Sequence, residues 1–147
     1  MKFVTRARVK VDRVACPWVI KRFVDPAAEF LFVDPGDVIS TSQREGAIPF
    51  DVPDVELGHR GPLCTFDAIL EKYHLDDPAL LAMARIIRGA DTSDRNLTAE
   101  SPGLYAIASG FAALSPEEFA DDYTLLDVEF PMYDALYAYC RGTTASR

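Results

Sequence analysis

The sequence predicts a single α+β domain, in which a small N-terminal β-sheet is followed by a predominantly helical remainder. Alternating apolar and polar residues favour a strand near the N-terminus, whereas longer apolar patterns with helical spacing fill the second half. No repeat, low-complexity linker or change in composition divides the 147 residues. We therefore expect one domain over residues 3–141 and a flexible tail over residues 142–147.

The N-terminal third is expected to hold two strands and the helix between them. Residues 3–11 alternate as in an edge or half-buried strand, and the apolar run 29–33 predicts a second strand before an Asp-Pro-Gly turn. Proline lacks an amide hydrogen and fits the first turn of a helix. A helix is therefore expected to begin at Cys16 or Pro17 and to end near Val24.

The following elements are mostly helices. A short helix is expected over residues 37–44 and an extended edge over 47–53, where prolines cannot donate to a central ladder. Thr65 is expected to cap a helix over about residues 66–74. Gly89 is expected to stop the next helix, before a polar loop that begins at Ala90. The predicted helices from there on are 79–89, 103–114, 116–123 and one that begins near Pro131.

The charge and the cysteine content of the chain indicate its cellular compartment and the classes of partner it can bind. The 23 acidic against 15 basic residues give a net charge of −8, which argues against a general affinity for nucleic acid. The N-terminus lacks the pattern of a signal peptide, and no apolar run is long enough to span a membrane. We therefore expect a cytoplasmic protein with no membrane contact. In that compartment Cys16, Cys64 and Cys140 are expected to be free thiols, ligands or nucleophiles.

The segment ELGHRGPLCTFD, residues 56–67, brings together Glu56, His59, Cys64 and Asp67. This mixture of oxygen, imidazole and sulfur donors suits zinc or iron better than magnesium or calcium. The spacing alone is not diagnostic, because the chain has no CxxC or HExxH pattern. The structural alternative is that Cys64 packs in the core, Asp67 lies near a helix N-terminus and His59 is a surface residue.

Two further groups carry candidate chemistry. If Cys16 lies at a helix N-terminus, the helix dipole and Arg13 would lower its pKa and favour a thiolate. The alternative is that Cys16 is buried and inert. Near residue 90, a helix ending at Gly89 would present Arg88 for an oxyanion and Asp91 for a metal ion. The alternative here is a structural salt bridge.

Four segments, DRVACPWVIKRFVDPAAEFLFV, VELGHRGPLCTFDAIL, RIIRGADT and MYDALYAYCR, occur in this order. Together they resemble the C-terminal domain family of the chromate resistance protein ChrB, over about residues 3–141. The resemblance implies a role in bacterial chromate resistance beside an efflux transporter. It also maps recurring polar positions of the family onto Asp12, Arg13, Cys16, Trp18, Arg22, Glu56, His59, Cys64, Asp67, Arg88 and Asp91. A shared cleft would explain such a set better than packing does, so we expect these residues to line one.

The expected function is therefore that of a chromate-resistance domain, metal-binding, with a thiol-containing and arginine-lined cleft for an oxyanion or redox substrate. The expected cofactor is a divalent transition metal, zinc or iron, with ligands among Glu56, His59, Cys64, Asp67 and Asp91. Oxyanion donors would be Arg13, Arg22 and Arg88, and Cys16 and Cys64 are the candidate catalytic thiols.

Whether the domain is an enzyme stays open in this interpretation. The alternative is a non-catalytic sensor of chromate or metal, or an interaction module that supports the regulation of efflux. Some relatives are joined to a rhodanese-like protein, so a sulfurtransferase or a regulatory protein is an expected partner. Longer members carry an additional N-terminal region to which DNA-linked regulation is attributed. This chain starts at the domain itself and is acidic, so we do not expect it to bind nucleic acid.

Overall fold

The structure is a computed structural model that describes residues 1–119 and 121–145, without the side chains of residues 115–117. In this part of the chain it confirms the expected α+β class, with a small N-terminal sheet and a mainly helical remainder. The elements are β1 (Lys2–Arg6), α1 (Asp12–Val19) continued by a π-helical turn (Ile20–Val24), β2 (Glu29–Val33), a 3₁₀ turn (Pro35–Asp37), α2 (Val38–Glu45), β3 (Ile48–Pro49), α3 (Thr65–Lys72), α4 (Pro78–Asp91), α5 (Ser101–Glu118) and α6 (Asp122–Ala145).

The sheet is parallel and has the order β2-β1-β3, so β1 is the central strand. The prediction of an edge or half-buried strand over residues 3–11 was wrong in both position and length. Phe3, Val4 and Thr5 are all buried, as in a parallel strand that is covered on both faces. The strand ends at Arg6, and Arg8 adopts a φ of 65° as the chain turns towards α1. β3 lies at the edge, as its proline predicts.

Helix α1 begins at Asp12, and Pro17 lies inside it. The prediction that the helix begins at Cys16 or Pro17 was therefore wrong. The residues around the proline recur at helical spacing and are fully buried, so core packing outweighs the cost of an internal proline. These residues are Val14, Ala15, Trp18 and Val19.

Two helix boundaries near the candidate site also differ from the prediction. Helix α3 begins at Thr65 itself, with Cys64 as the residue before it. Helix α4 does not stop at Gly89 but continues to Asp91. A Cβ atom at Gly89 would lie 2.2 Å from Ser101 Oγ, so this glycine permits close packing of α4 against the start of α5. The extra turn carries Asp91 to the end of the helix.

In the C-terminal part, residues 101–119 and 121–145 contain two helices rather than the three that we predicted. α5 covers the segment predicted as 103–114 and the first residues of the one predicted as 116–123. α6 begins at Asp122, where Asp121 accepts the backbone amide of Thr124, and Pro131 lies inside it rather than at its start. α6 continues to Ala145; the last two residues of the tail that we predicted to be flexible, 146 and 147, lie outside the described residues.

The main hydrophobic core lies among α1, α3, α4 and α6 and reaches one face of the sheet. Its large, fully buried side chains include Trp18, Phe66, Met83, Ile87 and Tyr133. Among the described residues, no helix has both the length and the apolar composition that crossing a bilayer requires. The packing of α1, α3 and α4 brings the beginning of α1, the loop before α3 and the end of α4 together.

Candidate metal centre

Three carboxylates and one imidazole converge at this meeting point. Asp12 is the first residue of α1, Asp51 and His59 belong to the loop between β3 and α3, and Asp91 is the last residue of α4. One potential ligand atom from each of the four lies within 4.8 Å of all the others. His59 Nε2 lies 2.9 Å from Asp91 Oδ2, 3.3 Å from Asp51 Oδ1 and 3.5 Å from Asp12 Oδ2.

Asp12 is fully buried and is held by the beginning of α3. Its Oδ2 accepts the backbone amide of Thr65 at 2.8 Å, and its Oδ1 accepts that of Phe66 at 3.3 Å. These amides belong to the first turn of α3, where backbone N–H groups have no partner within the helix. The side chain therefore has a fixed position before any ligand arrives.

Asp51 is fixed by a hydroxyl and two guanidinium groups. Its Oδ1 accepts the Thr65 hydroxyl at 2.8 Å, while its Oδ2 receives Arg13 Nη1 at 3.1 Å and Arg6 Nη2 at 3.3 Å. The backbone at Asp51 has a φ of 55°, a left-handed conformation that aspartate tolerates better than most residues. Thr65 thus contacts both Asp12 and Asp51.

Asp91 depends on the C-terminal end of α4. Arg95 Nη1 donates to the backbone carbonyls of Gly89 and Ala90, and the Thr92 hydroxyl donates to the carbonyl of Arg88 at 2.7 Å. These contacts satisfy carbonyls that would otherwise lack a partner at a helix end. They also hold the last turn of α4 in place beneath Asp91.

The four groups perturb one another's ionisation. Burial raises the pKa of Asp12, and burial together with the charges of Asp12 and Asp51 raises the pKa of Asp91 to about 8. Burial opposes ionisation of Asp51 as well, but hydrogen bonds from His59 and Thr65 and the charge of Arg13 outweigh it, so its pKa is lowered. Contacts with Asp12 and Asp51 raise the pKa of His59 to about 10. At neutral pH the imidazolium is therefore the positive charge at the centre of the cluster.

The cluster opens into a cavity of about 510 Å³. His59 is 44% exposed there, whereas Asp12 lies at the closed end. The cavity is lined by Arg6, Arg13, Asp51, Val52, Pro53, His59 and Asp91. A small ligand can thus reach the imidazole and Asp91 from solvent.

The structure brings together only two of the five residues that the sequence nominated as metal ligands, His59 and Asp91. Glu56 is exposed and pairs with Lys72 at 2.7 Å. Asp67 accepts two hydrogen bonds from Arg88, at 2.9 and 3.1 Å, and a third from the amide of Cys64. Glu56, Cys64 and Asp67 all lie outside the cluster.

The nominated arginines do not share one cleft. Arg13 lines the cavity. Arg22 pairs with Asp134 of α6 at 3.0 Å, and Arg88 is engaged with Asp67. The second guanidinium in the cavity belongs to Arg6, which sequence reasoning missed.

The premise for a reactive thiolate at residue 16 was wrong. Cys16 lies in the second turn of α1 instead of at its N-terminus, and its side chain is completely buried. Burial, followed by the charge of Asp12, raises the pKa of this thiol well above its ordinary value. Cys64 is also completely buried, and burial raises its pKa in the same way. Both environments favour the neutral thiol.

Asp51 was missed as a site residue. Asp12 was considered beside Arg13 as a carboxylate–arginine pair similar to Asp91 and Arg88, and as a family position, but it was not among the five nominated metal ligands. A topological signal could have found Asp51 and Arg6. Both lie at the carboxyl ends of strands, β3 and β1, and the carboxyl ends of parallel strands meet at one edge of a sheet, where ligands commonly bind. The sequence prediction treated the first strand as an edge or half-buried strand and not as the centre of a parallel sheet, so it did not use this rule.

Fold and site together define a small α+β domain with a carboxylate–histidine group that is able to hold a metal ion. The family model described as "ChrB, C-terminal domain" matches residues 3–140, so the chain belongs to the ChrB C-terminal domain family. The resemblance inferred from the sequence is thereby confirmed.

A curated relative, Protein ChrB of Cupriavidus metallidurans, is 32% identical to this chain over 139 residues. The alignment covers 94% of this chain but 40% of the relative, so the chain spans well under half of that protein's length. No solved structure matches the chain.

Proposed function

We propose that this domain binds one divalent transition-metal ion at the cluster of Asp12, Asp51, His59 and Asp91, and that it serves chromate resistance in this way. The observation that carries the proposal is the approach of four ligand atoms to within 4.8 Å of one another. Metal–ligand bonds of about 2.1 Å separate neighbouring ligand atoms by roughly 3 to 4 Å. A small contraction of the cluster around an ion would therefore complete the site.

The donor set favours particular ions. Three carboxylate oxygens and one imidazole nitrogen are hard to borderline ligands, which suit Zn²⁺, Fe²⁺ or Mn²⁺. The thiols of Cys16 and Cys64 are not members of the group, so nothing in it selects a soft ion such as Cu⁺. Zinc and iron, which the sequence suggested, both remain compatible with this donor set.

The charges around the site support an anionic ligand next to the ion. Three carboxylates contribute −3, Arg6 and Arg13 contribute +2, and a divalent ion would add +2 when His59 is neutral, which leaves +1. Guanidinium groups match the oxygen atoms of oxyanions well. The proposed ligand is therefore a small oxyanion in the cavity lined by Arg6 and Arg13, without Arg22 or Arg88.

Metal analysis of untagged protein tests the proposal. The protein is stripped with a chelator, incubated separately with Zn²⁺, Fe²⁺ or Mn²⁺, desalted, and assayed by mass spectrometry of the bound metal. We expect one equivalent of at least one ion in the wild type and a loss of binding in His59→Ala. The control is His74→Asn, which changes the only other histidine at an exposed position where φ is 54° and asparagine is tolerated. The proposal fails if the wild type retains no metal or if His59→Ala retains as much.

The second candidate is a binding or sensing module without thiol chemistry. The observation that supports it is the complete burial of Cys16 and Cys64, neither of which lines the cavity. Chromate turnover with a reductant is the discriminating measurement. A binding module gives no turnover that depends on either thiol, whereas a thiol enzyme loses its turnover in Cys16→Ser or Cys64→Ser.

A further inference from the structure

The cavity above the candidate metal centre lies where the order of the strands reverses. β1 is the central strand, and the chain passes from it to β2 on one side before it crosses to β3 on the other. The connecting helices cover opposite faces of the sheet, because α1 shares a core with Phe3, whereas Val38 of α2 packs with Val4. In open parallel sheets, organic ligands such as nucleotides bind outside the carboxyl ends of the strands at such a point. The cavity therefore has the place in the fold of a small-molecule site.

The cavity is also larger than an inorganic oxyanion requires. Its volume is about 510 Å³, within the roughly 300 to 1,000 Å³ of sites for small organic molecules. An oxyanion of one central atom and four oxygen atoms fills at most about 150 Å³, if each atom takes the roughly 30 Å³ of a water molecule. More than half of the cavity therefore stays empty when such an anion lies beside the metal ion.

One part of the cavity wall carries an excess of positive charge. Arg6 and Arg13 both pair with Asp51, at 3.3 and 3.1 Å. Two guanidinium groups thus share one carboxylate, which leaves one positive charge for a ligand. The ion, Arg6 and Arg13 are three separate partners, so a phosphoryl group with three terminal oxygen atoms matches them better than a carboxylate with two.

Another part of the wall is apolar. Val52 and Pro53 directly follow Asp51 and line the same cavity, where Val52 is half-buried and Pro53 is exposed. Neither side chain has a charge or a hydrogen-bonding group, so neither contributes to the binding of a bare inorganic anion. Both would gain from contact with an apolar group, because that contact removes apolar surface from water.

We propose that the cavity binds a small organic phosphate, whose phosphoryl group contacts the metal ion, Arg6 and Arg13 and whose apolar body lies on Val52 and Pro53. The proposal rests on the proposed function, because the phosphoryl group occupies the oxyanion position beside the ion. It adds the class of ligand, since the oxyanion is here the head group of an organic molecule.

Calorimetric titration of the metal-loaded protein tests the class of ligand. The probes are phenylphosphonate and methylphosphonate, which share a head group, benzoate, which carries the ring on a carboxylate, and inorganic sulfate. We expect phenylphosphonate to bind roughly tenfold more tightly than methylphosphonate, because its ring offers more apolar surface for Val52 and Pro53 to cover. Equal binding of the two phosphonates overturns the proposal, and so does binding of sulfate or benzoate as tight as that of phenylphosphonate.

Val52→Thr tests where the apolar body lies. The substitution keeps the shape of the side chain and replaces one methyl group by a hydroxyl, so it should weaken phenylphosphonate binding roughly threefold and leave methylphosphonate binding unchanged. Val55→Thr is the matched control, because Val55 is half-buried in the same loop and does not line the cavity. Pro53→Ser, at an exposed position, is a second test of the same wall. Variants at 52 and 53 that bind phenylphosphonate like the wild type overturn the proposal.

Metal analysis of the same samples separates this proposal from the proposed function. Protein that retains no metal contradicts the proposed function and removes the ion from the phosphate site. Protein that retains metal but does not prefer phenylphosphonate contradicts only the organic phosphate as ligand.

Discussion

Glu129 is a buried carboxyl group that forms no ion pair within residues 1–119 and 121–145. Its side chain is 1% exposed on α6, and its Oε1 has no hydrogen-bond partner within the described part of the chain. Burial raises its pKa from 4.5 to about 7. Glu129 therefore holds its proton to a higher pH than an exposed glutamate does.

Replacement of Glu129 by glutamine should change how stability depends on pH. The unfolded chain releases this proton near pH 4.5, whereas the folded chain holds it until about pH 7. The contribution of Glu129 to the free energy of unfolding is fully present below pH 4.5, and it is lost as the pH rises through 7. We expect Glu129→Gln to be more stable than the wild type at pH 8 by on the order of 2 to 3 kcal/mol, and similar to it at pH 4.

Urea unfolding at several pH values measures this difference. Glu118→Gln, at an exposed position, serves as the control and should follow the wild type. A constant difference between Glu129→Gln and the wild type across this pH range would show that Glu129 does not titrate as described.

Individual site residues could be predicted from the sequence only where the residues next to them along the chain form a recognisable polar segment. His59 lies in a polar, glycine-containing loop, and Asp91 directly precedes the polar segment that follows α4, so a local signal marks both residues. Glu56 carries the same signal, but Lys72 neutralises it at a distance of 16 residues. Asp51 carries no local signal, because its role depends on where β3 ends relative to β1. A linear pattern therefore favours Glu56 over Asp51, although the cluster contains Asp51 and not Glu56.

Among the elements, α4 depends most strongly on one small residue. Gly89→Ala would place a methyl group 2.2 Å from Ser101 Oγ and 2.6 Å from Ser101 Cβ. Such overpacking costs roughly 1 to 3 kcal/mol, whereas the gain in helix propensity is about 1 kcal/mol. We therefore expect a net loss of stability of about 1 kcal/mol, together with weaker metal binding, because α4 carries Asp91.

The matched substitution is Gly103→Ala, where the added methyl group meets only open space. In dilute protein it should leave stability unchanged or raise it slightly, and metal binding should be unaffected. If both alanine variants unfold at the same urea concentration, the close packing of α4 against Ser101 is not the reason for a glycine at position 89.

Element boundaries followed from sequence where the decisive interactions were local. β2 was predicted with its observed bounds, because an apolar run between turn residues is sufficient to define a strand. α1 was predicted to begin four or five residues late. The preference of proline for a first turn is outweighed there by the burial of Trp18 and its neighbours. That burial involves α6, more than a hundred residues away, and short-range patterns do not contain it.

For the whole molecule, the proposed metal site predicts that the free energy of unfolding increases when the metal ion is bound. A ligand that binds only the native state stabilises it by about 2.7 kcal/mol at 100 times its dissociation constant. In a domain of this size, we expect Tm to rise by roughly 5 to 10 °C. Calorimetry in chelator and in excess metal measures this shift. Asp91→Asn should abolish it, and an equal shift in that variant would place the binding elsewhere.

Asp12 belongs to two structures at once, since its carboxylate accepts the opening amides of α3 and also faces His59. Binding of a metal ion to this carboxylate would change the strength of the hydrogen bonds that it accepts from the N–H groups of Thr65 and Phe66. These two amide protons therefore report on the state of the proposed metal site. The rate at which these two amides exchange with solvent deuterium should therefore differ between the metal-free and the metal-bound protein. This measurement needs neither an attached label nor a spectroscopically active metal ion.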